Sequence, residues 1–252
     1  MLDEGGEYHH SEFQAKIWAM WNEFWYEFVP EVTHGEPFSV VHNGDAIDGV
    51  HHQSTTQITH NIKDQVAIAV EVMQPIVKMC EGRYYHIRGT EAHVGKSAAT
   101  EEGLAKALGA IPDKYQYARN DLWIEVGGGL VHLLHHIGST GSLAYETTAL
   151  MKEYTESLTE AARWERRPAD ILVRGHRHRY AEIAVPKKRN GKGRVVVVPA
   201  WQGKTPFVWK IPGARQSTPM FGGIVIRWAE ESETLFVREK VWTVEPSETV
   251  RI

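Results

Sequence analysis

Apolar positions along the chain follow two rhythms. From Ser11 to about Val29 they recur at helical spacing, with Phe13, Ile17, Trp21, Phe24, Trp25 and Phe28 on one broad face. "SEFQ" at 11–14 has the form of a capping box, Ser11 as cap and Gln14 reaching back. Such an aromatic stripe reads as core packing. The same spacing predicts a second long helix from about Thr56 to Glu81, on Ile58, Ile62, Val66, Val70, Met73 and Val77. A shorter helix is predicted over 100–110 with Thr100 as cap, and a third long one over 140–167. Between them run short apolar stretches: "PFSVVHNGD", "RYYHIRG" and "DILVRGH" each read as a strand that stops at a glycine.

The later part of the chain reads as hairpins. "DLWIEV", a "GGG" turn and "LVHLLHH" form one, and "YAEIAVPKKRNGKGRVVVVPAW" forms another around Asn190-Gly191. "GGIVIRW" and "ETLFVREKVW" supply a last pair of strands. No linker or repeat divides the pattern, so residues 1–252 are expected to form a single domain, a mixed-sheet α/β sandwich.

Composition narrows the class. The chain has 252 residues, long enough for a sizeable core, and a formal net charge of only -4, which argues against long-range attraction to nucleic acid. Its single cysteine, Cys80, excludes an internal disulfide framework and sits in an apolar helical stretch. No apolar run reaches membrane-spanning length and no signal pattern opens the chain, so no membrane partner and a cytoplasmic location are expected. Exposed aromatic content points weakly to a homo-oligomer.

The chemistry gathers where strands end. Gly44-Asp45-Ala46-Ile47-Asp48-Gly49, Gly89-Thr90-Glu91-Ala92-His93, His135-His136 and Gly175-His176-Arg177-His178 each follow a β-like run. Strand ends are where sites form in open α/β sheets. A carboxylate with several imidazoles is a donor set for Mn, Zn, Fe or Ni. Asp45, a histidine of the 135–136 pair, His176 and His178 are therefore the expected metal ligands. Lys187, Lys188, Arg189, Lys192 and Arg194 make a basic hairpin tip; contact with a nucleic-acid backbone and a merely solvated turn are both open. Trp201 and Gln202 follow a strand, either at a pocket mouth or in ordinary packing.

The order GDxxDG, a glycine-led acidic and histidine cluster, a strand-terminal histidine and GHRH resembles the calcineurin-like metallophosphoesterases over roughly residues 37–200. The resemblance implies a four-layer α/β/β/α sandwich with mixed sheets, two divalent ions, and hydrolysis of a phosphomonoester or phosphodiester by a metal-activated water. The substrate would be a phosphorylated small molecule or a nucleic acid. It implies Asp45 as the carboxylate shared by both ions, His135 or His136 with His176 on the second, His178 on the first, and Asp48 orienting ligands. Two departures stand out. Where the family has Gly-Asn-His, this chain has Gly89-Thr90-Glu91-Ala92-His93: either Glu91 is an oxygen ligand and His93 the displaced acid toward the leaving group, or the loop only shapes the pocket. This variant looks like a branch often carried by phages and bacteria. The family's opening strand with Asp-x-His is not found before Gly44: the coding start lies further upstream, a piece is missing, or the protein lacks half of one metal site. Two rival readings follow, a phosphoesterase-fold scaffold or binding protein and a mononuclear zinc hydrolase.

Overall fold

The aromatic stripe of the first helix is buried at Trp21 and Phe24, half-buried at Ile17, Trp25 and Phe28, and exposed at Phe13. The computed structural model describes residues 2–51, 54–55, 57–95, 97–138, 143–187, 191–211 and 217–244. Helix α1 (Glu12–Glu23) carries the expected capping box: Gln14 N donates to Ser11 Oγ at 3.2 Å and Ser11 N donates to Gln14 Oε1 at 2.8 Å. The helical path runs past the predicted end. It widens into one π turn over Phe24–Phe28 and resumes as α2 (Val29–Thr33), with Pro30, which has no N–H to continue the ladder, at the junction.

The second helix, α3 (Ile62–Met79), starts later than periodicity suggested because Asn61 caps it, its side chain accepting from Lys63 N at 3.0 Å. After the single turn α4 (Glu91–Val94), α5 (Ala99–Ala107) begins one residue before the expected Thr100 cap. The third long helix is shorter at both ends than expected, α6 (Glu146–Arg163), with Trp164 as its C-cap.

Strands β1 (Val40–Asn43), β2 (Tyr84–Ile87) and β3 (Ala118–Arg119) form a parallel sheet in that order. A five-stranded mixed sheet has the order β4 (Asp121–Val126), β5 (Gly129–Leu134), β6 (Ile171–Arg174), β8 (Lys192–Val197), β7 (Ala181–Pro186). β9 (Met220–Ala229) and β10 (Thr234–Thr243) form an antiparallel hairpin. All three predicted hairpins are present; Lys188, Arg189 and Asn190 at the tip of one lie outside the described residues.

The layers follow from alternation along the strands. Val40 and Tyr84 face α1, α3 and α5, in a cluster with Trp21, Ile76 and Leu104. Val41, Tyr85 and Ile87 face the other way, onto Val131, Leu133, Ile171, Val173 and Val196 of the five-stranded sheet. Leu172, Val195 and Val197, on that sheet's far face, meet Leu150 and Tyr154 of α6. The architecture is thus α/β/β/α, the four-layer sandwich that the sequence led us to expect. Cys80 is buried in the first of these cores.

Candidate metal centre

Four loops leave the C-terminal ends of parallel strands on one side of the two sheets. Asp45 lies two residues past β1, Gly89 two past β2, His135 directly past β5 and His176 two past β6. The loops are bound to one another: Gly175 N donates to the His135 carbonyl at 2.8 Å, and Thr90 N to Asp45 Oδ1 at 2.7 Å. Two glycines permit the close approach. A Cβ on Gly44, at φ +85°, would stand 2.5 Å from His135 Nδ1, and one on Gly89 would stand 2.0 Å from Asp45 Oδ1. Asp45 (φ 56°), His176 (φ 71°) and His178 (φ 53°) all adopt the left-handed region, a strain that concentrates at functional sites.

Asp45, His135 and His176 each offer a donor atom, and the three atoms lie within 4.8 Å of one another. The protonation pattern is set by their neighbours. His135 Nδ1 is 2.5 Å from the Asn43 carbonyl, which can only accept, so Nδ1 carries the proton. Nε2 faces Asp45 Oδ2 at 2.9 Å, as an ion pair when the imidazole is protonated and as a lone pair when it is neutral. Both atoms are buried, and neither has a hydrogen-bond partner besides the other. Two electron-rich atoms facing a common point at this separation suit a divalent cation of the Zn, Mn, Fe or Ni class, and the Nδ1 contact is the outer partner that orients such a histidine.

The charges agree. Burial alone would raise the Asp45 carboxyl, but His135 beside it, with His93 and Thr90, holds it well below the usual carboxylate range. Burial would lower His135; the Asp45 carboxylate outweighs it and raises the imidazole. Burial, helped by the neighbouring His135, lowers His176, and burial pushes His178 down to about 4 against the pull of Asp45. Both are therefore neutral near pH 7, the form that ligates metal.

A second cluster adjoins the first. Asp48, His51 and His93 also place donor atoms within 4.8 Å, but these are already engaged. Asp48 Oδ1 lies 3.2 Å from His51 Nε2 and accepts from Gln202 Nε2 at 2.9 Å. His93 Nδ1 donates to the Asp48 carbonyl at 2.8 Å, which leaves its Nε2 facing Asp45 Oδ2 at 3.9 Å. Beneath both, the buried Glu101 accepts from Gly89 N at 2.7 Å and Ala46 N at 3.4 Å, with His86 Nε2 3.1 Å away. His86 in turn stacks on His42 at 4.8 Å.

The structure therefore brings Asp45, His135 and His176 together, with Asp48 and His93 beside them. His136 is exposed and stacks on His176 at 5.8 Å, so His135 is the member of that pair that faces Asp45. Glu91, expected as an oxygen ligand, is exposed at the start of α4 and belongs to none of the three donor groups; its side chain precedes the turn that points His93 inward. His178 lines the same cavity but also stays outside the three groups. Among the basic residues, Lys187 pairs with Asp170 and Arg194 with Glu182, which turns two of them back onto the protein. Trp201 packs edge-on against Trp21 at 5.1 Å and also lines the cavity beside the site, as does Gln202, so both of its readings hold. Sequence reasoning missed His42, His51, His86 and Glu101. His51 sits in a paired-histidine run that was a usable signal, whereas Glu101 looked like an ordinary acid in a helix's first turn.

No protein-family profile matches the chain, and no curated protein matches it either. Solved structures do. Vacuolar protein sorting 29 from Cryptosporidium parvum is 14% identical with a TM-score of 0.34, over 81% of this chain and 96% of that one. Wild-type Vps29 from Entamoeba histolytica, complexed with zinc, is 13% identical with a TM-score of 0.31, over 68% and 88%. Chaetomium thermophilum Vps29 is 12% identical with a TM-score of 0.28, over 67% and 75%. At these TM-scores the layer order described above, and not the likeness, carries the fold assignment. No helix among the described residues is long and apolar enough to cross a membrane.

Proposed function

We propose that the chain binds one divalent cation through Asp45, His135 and His176 and hydrolyses a phosphate ester beside it. The observation that carries this reading is the Asp45 Oδ2–His135 Nε2 pair, 2.9 Å apart, buried and with no partner besides each other, while the Nδ1 proton of His135 is committed to Asn43. Three protein ligands with a further position open to solvent is the arrangement of catalytic zinc sites. Such a cation supplies Lewis acidity toward a phosphoryl oxygen and a bound water acidic enough to act at neutral pH. The chain's own residues do the rest. Asn43 fixes the His135 tautomer. Thr90 holds Asp45 Oδ1, which leaves Oδ2 for the cation. His93, oriented through Nδ1 by the Asp48 carbonyl, presents Nε2 to take or return a proton at the reacting oxygen.

The Asp48–His51–His93 group is the place for a second ion, but Asp48 Oδ1 is taken by His51 and Gln202 and His93 Nδ1 by the Asp48 carbonyl, which is why the reading commits to one. A binding protein that keeps the cation without turnover is the second reading, favoured by the large apolar cavity beside the site. Metal analysis of the purified protein after equilibration with Zn²⁺ or Mn²⁺, together with hydrolysis of an aryl phosphomonoester and an aryl phosphodiester, separates them. One ion per chain with turnover lost in Asp45→Asn is expected. One ion without turnover leaves the binding protein, and no ion bound above background defeats both.

A further inference from the structure

A third group of donor atoms lies on the helical side of the parallel sheet, beneath the loops of the first centre. His42 on β1 and His86 on β2 are paired in register, so their side chains leave the sheet together, and Glu101 on α5 meets them. Each offers a donor atom, and the three atoms lie within 4.8 Å of one another. His86 is 0% exposed and Glu101 1%.

Protons alone do not close the bonding there. Glu101 is a carboxylate in the core, and a buried carboxylate needs a counter-charge. Among the described residues no lysine or arginine pairs with it, and its two peptide donors, Gly89 N and Ala46 N, are neutral. A proton on His86 would supply the charge, since Nε2 lies 3.1 Å from Glu101 Oε1 and Nδ1 lies 2.7 Å from Tyr84 Oη. It would leave His42 unanswered. Burial, helped by His86, pushes the His42 imidazole down to about 3, so the ring is neutral, and its buried Nε2 has no hydrogen-bond partner. A divalent cation answers all three groups at once, as counter-charge to the carboxylate and acceptor of a lone pair from each imidazole. Two histidines and a carboxylate are a donor set for zinc. Tyr84 Oη is then the outer partner that orients His86 through its far nitrogen.

We infer that His42, His86 and Glu101 hold a buried divalent cation of the zinc class, a structural ion that fastens β1 and β2 to α5. Binding draws the donor atoms in to the roughly 3.3 Å that two ligands of a tetrahedral zinc span. The rings of His42 and His86, 4.8 Å apart by centroid and 25° from parallel, turn edge to edge as they converge. Glu101 is thereby fixed, and with it Gly89 and Ala46 on either side of Asp45, so the buried ion supports the open centre without taking part in it. Neither His86 nor Glu101 lines the cavity, so an ion enters only when the core opens and is acquired on folding. Protein folded without metal takes up only the ion at Asp45 on later equilibration. The inference does not need the phosphate-ester reading.

The test unfolds the full chain in guanidinium with EDTA, refolds it with or without Zn²⁺, washes the folded protein with EDTA and counts the zinc retained. One chelator-resistant zinc per chain is expected after refolding in zinc, and none when zinc meets the protein only after folding. Asp45→Asn should keep this zinc, and X-ray absorption of that variant should show two imidazole ligands. His42→Phe, which keeps a ring against His86, should lose it. No zinc retained by the refolded wild type overturns the inference and leaves the group closed by a proton and water. Retained zinc that Asp45→Asn abolishes overturns it too, because the ion then belongs to the open centre. Should His42→Phe fail to fold, the ligand count in Asp45→Asn still decides, and fewer than two imidazoles overturns the assignment.

Discussion

Glu101 is the residue whose removal tests most of the argument at once. It is 1% exposed, and its two carboxylate oxygens hold the loops on either side of Asp45: Oε2 takes Gly89 N–H at 2.7 Å and Oε1 takes Ala46 N–H at 3.4 Å. Burial would raise its carboxyl, but the adjacent His86 and the Gly89 N–H outweigh burial and lower it. Glu101→Ala strands two backbone donors, each at about 1–3 kcal/mol, and leaves a small cavity. A total of about 2–6 kcal/mol is therefore expected from the two donors, against a whole-protein stability of about 5–15 kcal/mol. Glu101→Gln keeps the volume and one acceptor but turns an NH₂ toward an N–H, so about 1–3 kcal/mol is expected. Urea unfolding followed by far-UV circular dichroism reads both, as a fall in midpoint at unchanged slope. Cation affinity should fall with it, because both clamped peptides adjoin Asp45. A loss below about 1 kcal/mol for Glu101→Ala would refute the clamp, since buried donors would then have been left without cost.

Gly89→Ala puts a methyl 2.0 Å from Asp45 Oδ1 and 2.3 Å from its backbone N, so the loop must move; calorimetry with Zn²⁺ should show at least a tenfold weaker affinity while the circular dichroism spectrum keeps its shape. His132, stacked on Trp123 at 4.1 Å, has its imidazole pushed down to about 4, by burial first and Arg174 second. A depressed folded value means that its share of stability is complete above pH 6.5 and is lost as pH falls from 6.5 toward 4. The unfolding midpoint should therefore drop over that window at a slope up to about 1.4 kcal/mol per pH unit for this group. His132→Phe, which retains the stacking, should lessen the drop by this group's share, the rest coming from His42 and His178, which burial pushes down to about 3 and about 4, and an unchanged pH profile would show that the His132 imidazole does not titrate on unfolding. Asp45→Asn should abolish cation binding in the same metal analysis that tests the wild type, with stability at pH 7 changed far less than by Glu101→Ala.

The layer order was legible because strand alternation and helix periodicity are local patterns that report directly which face is buried. "VVHN", "YYHI" and "ILVR" each place one set of side chains toward the helices and the other between the sheets. The positions of Asp45 and His176 just past strand ends were legible because a glycine closing an apolar run marks where a strand stops, and that of His135 because the apolar alternation stops there. The sequence could not choose between His135 and His136. Adjacent residues past a strand end point to opposite sides, and only the Asn43 carbonyl, 92 residues away in the chain, decides which imidazole is turned inward and which nitrogen keeps its proton. Nor could it reveal Glu101, whose role depends on two backbone N–H groups brought to it from other loops. Sequence alone thus determined the elements, the layers and the kinds of donor atom at the strand ends. Tertiary structure decided which donors meet and which are already satisfied, because convergence and desolvation depend on distances through space that no local pattern encodes.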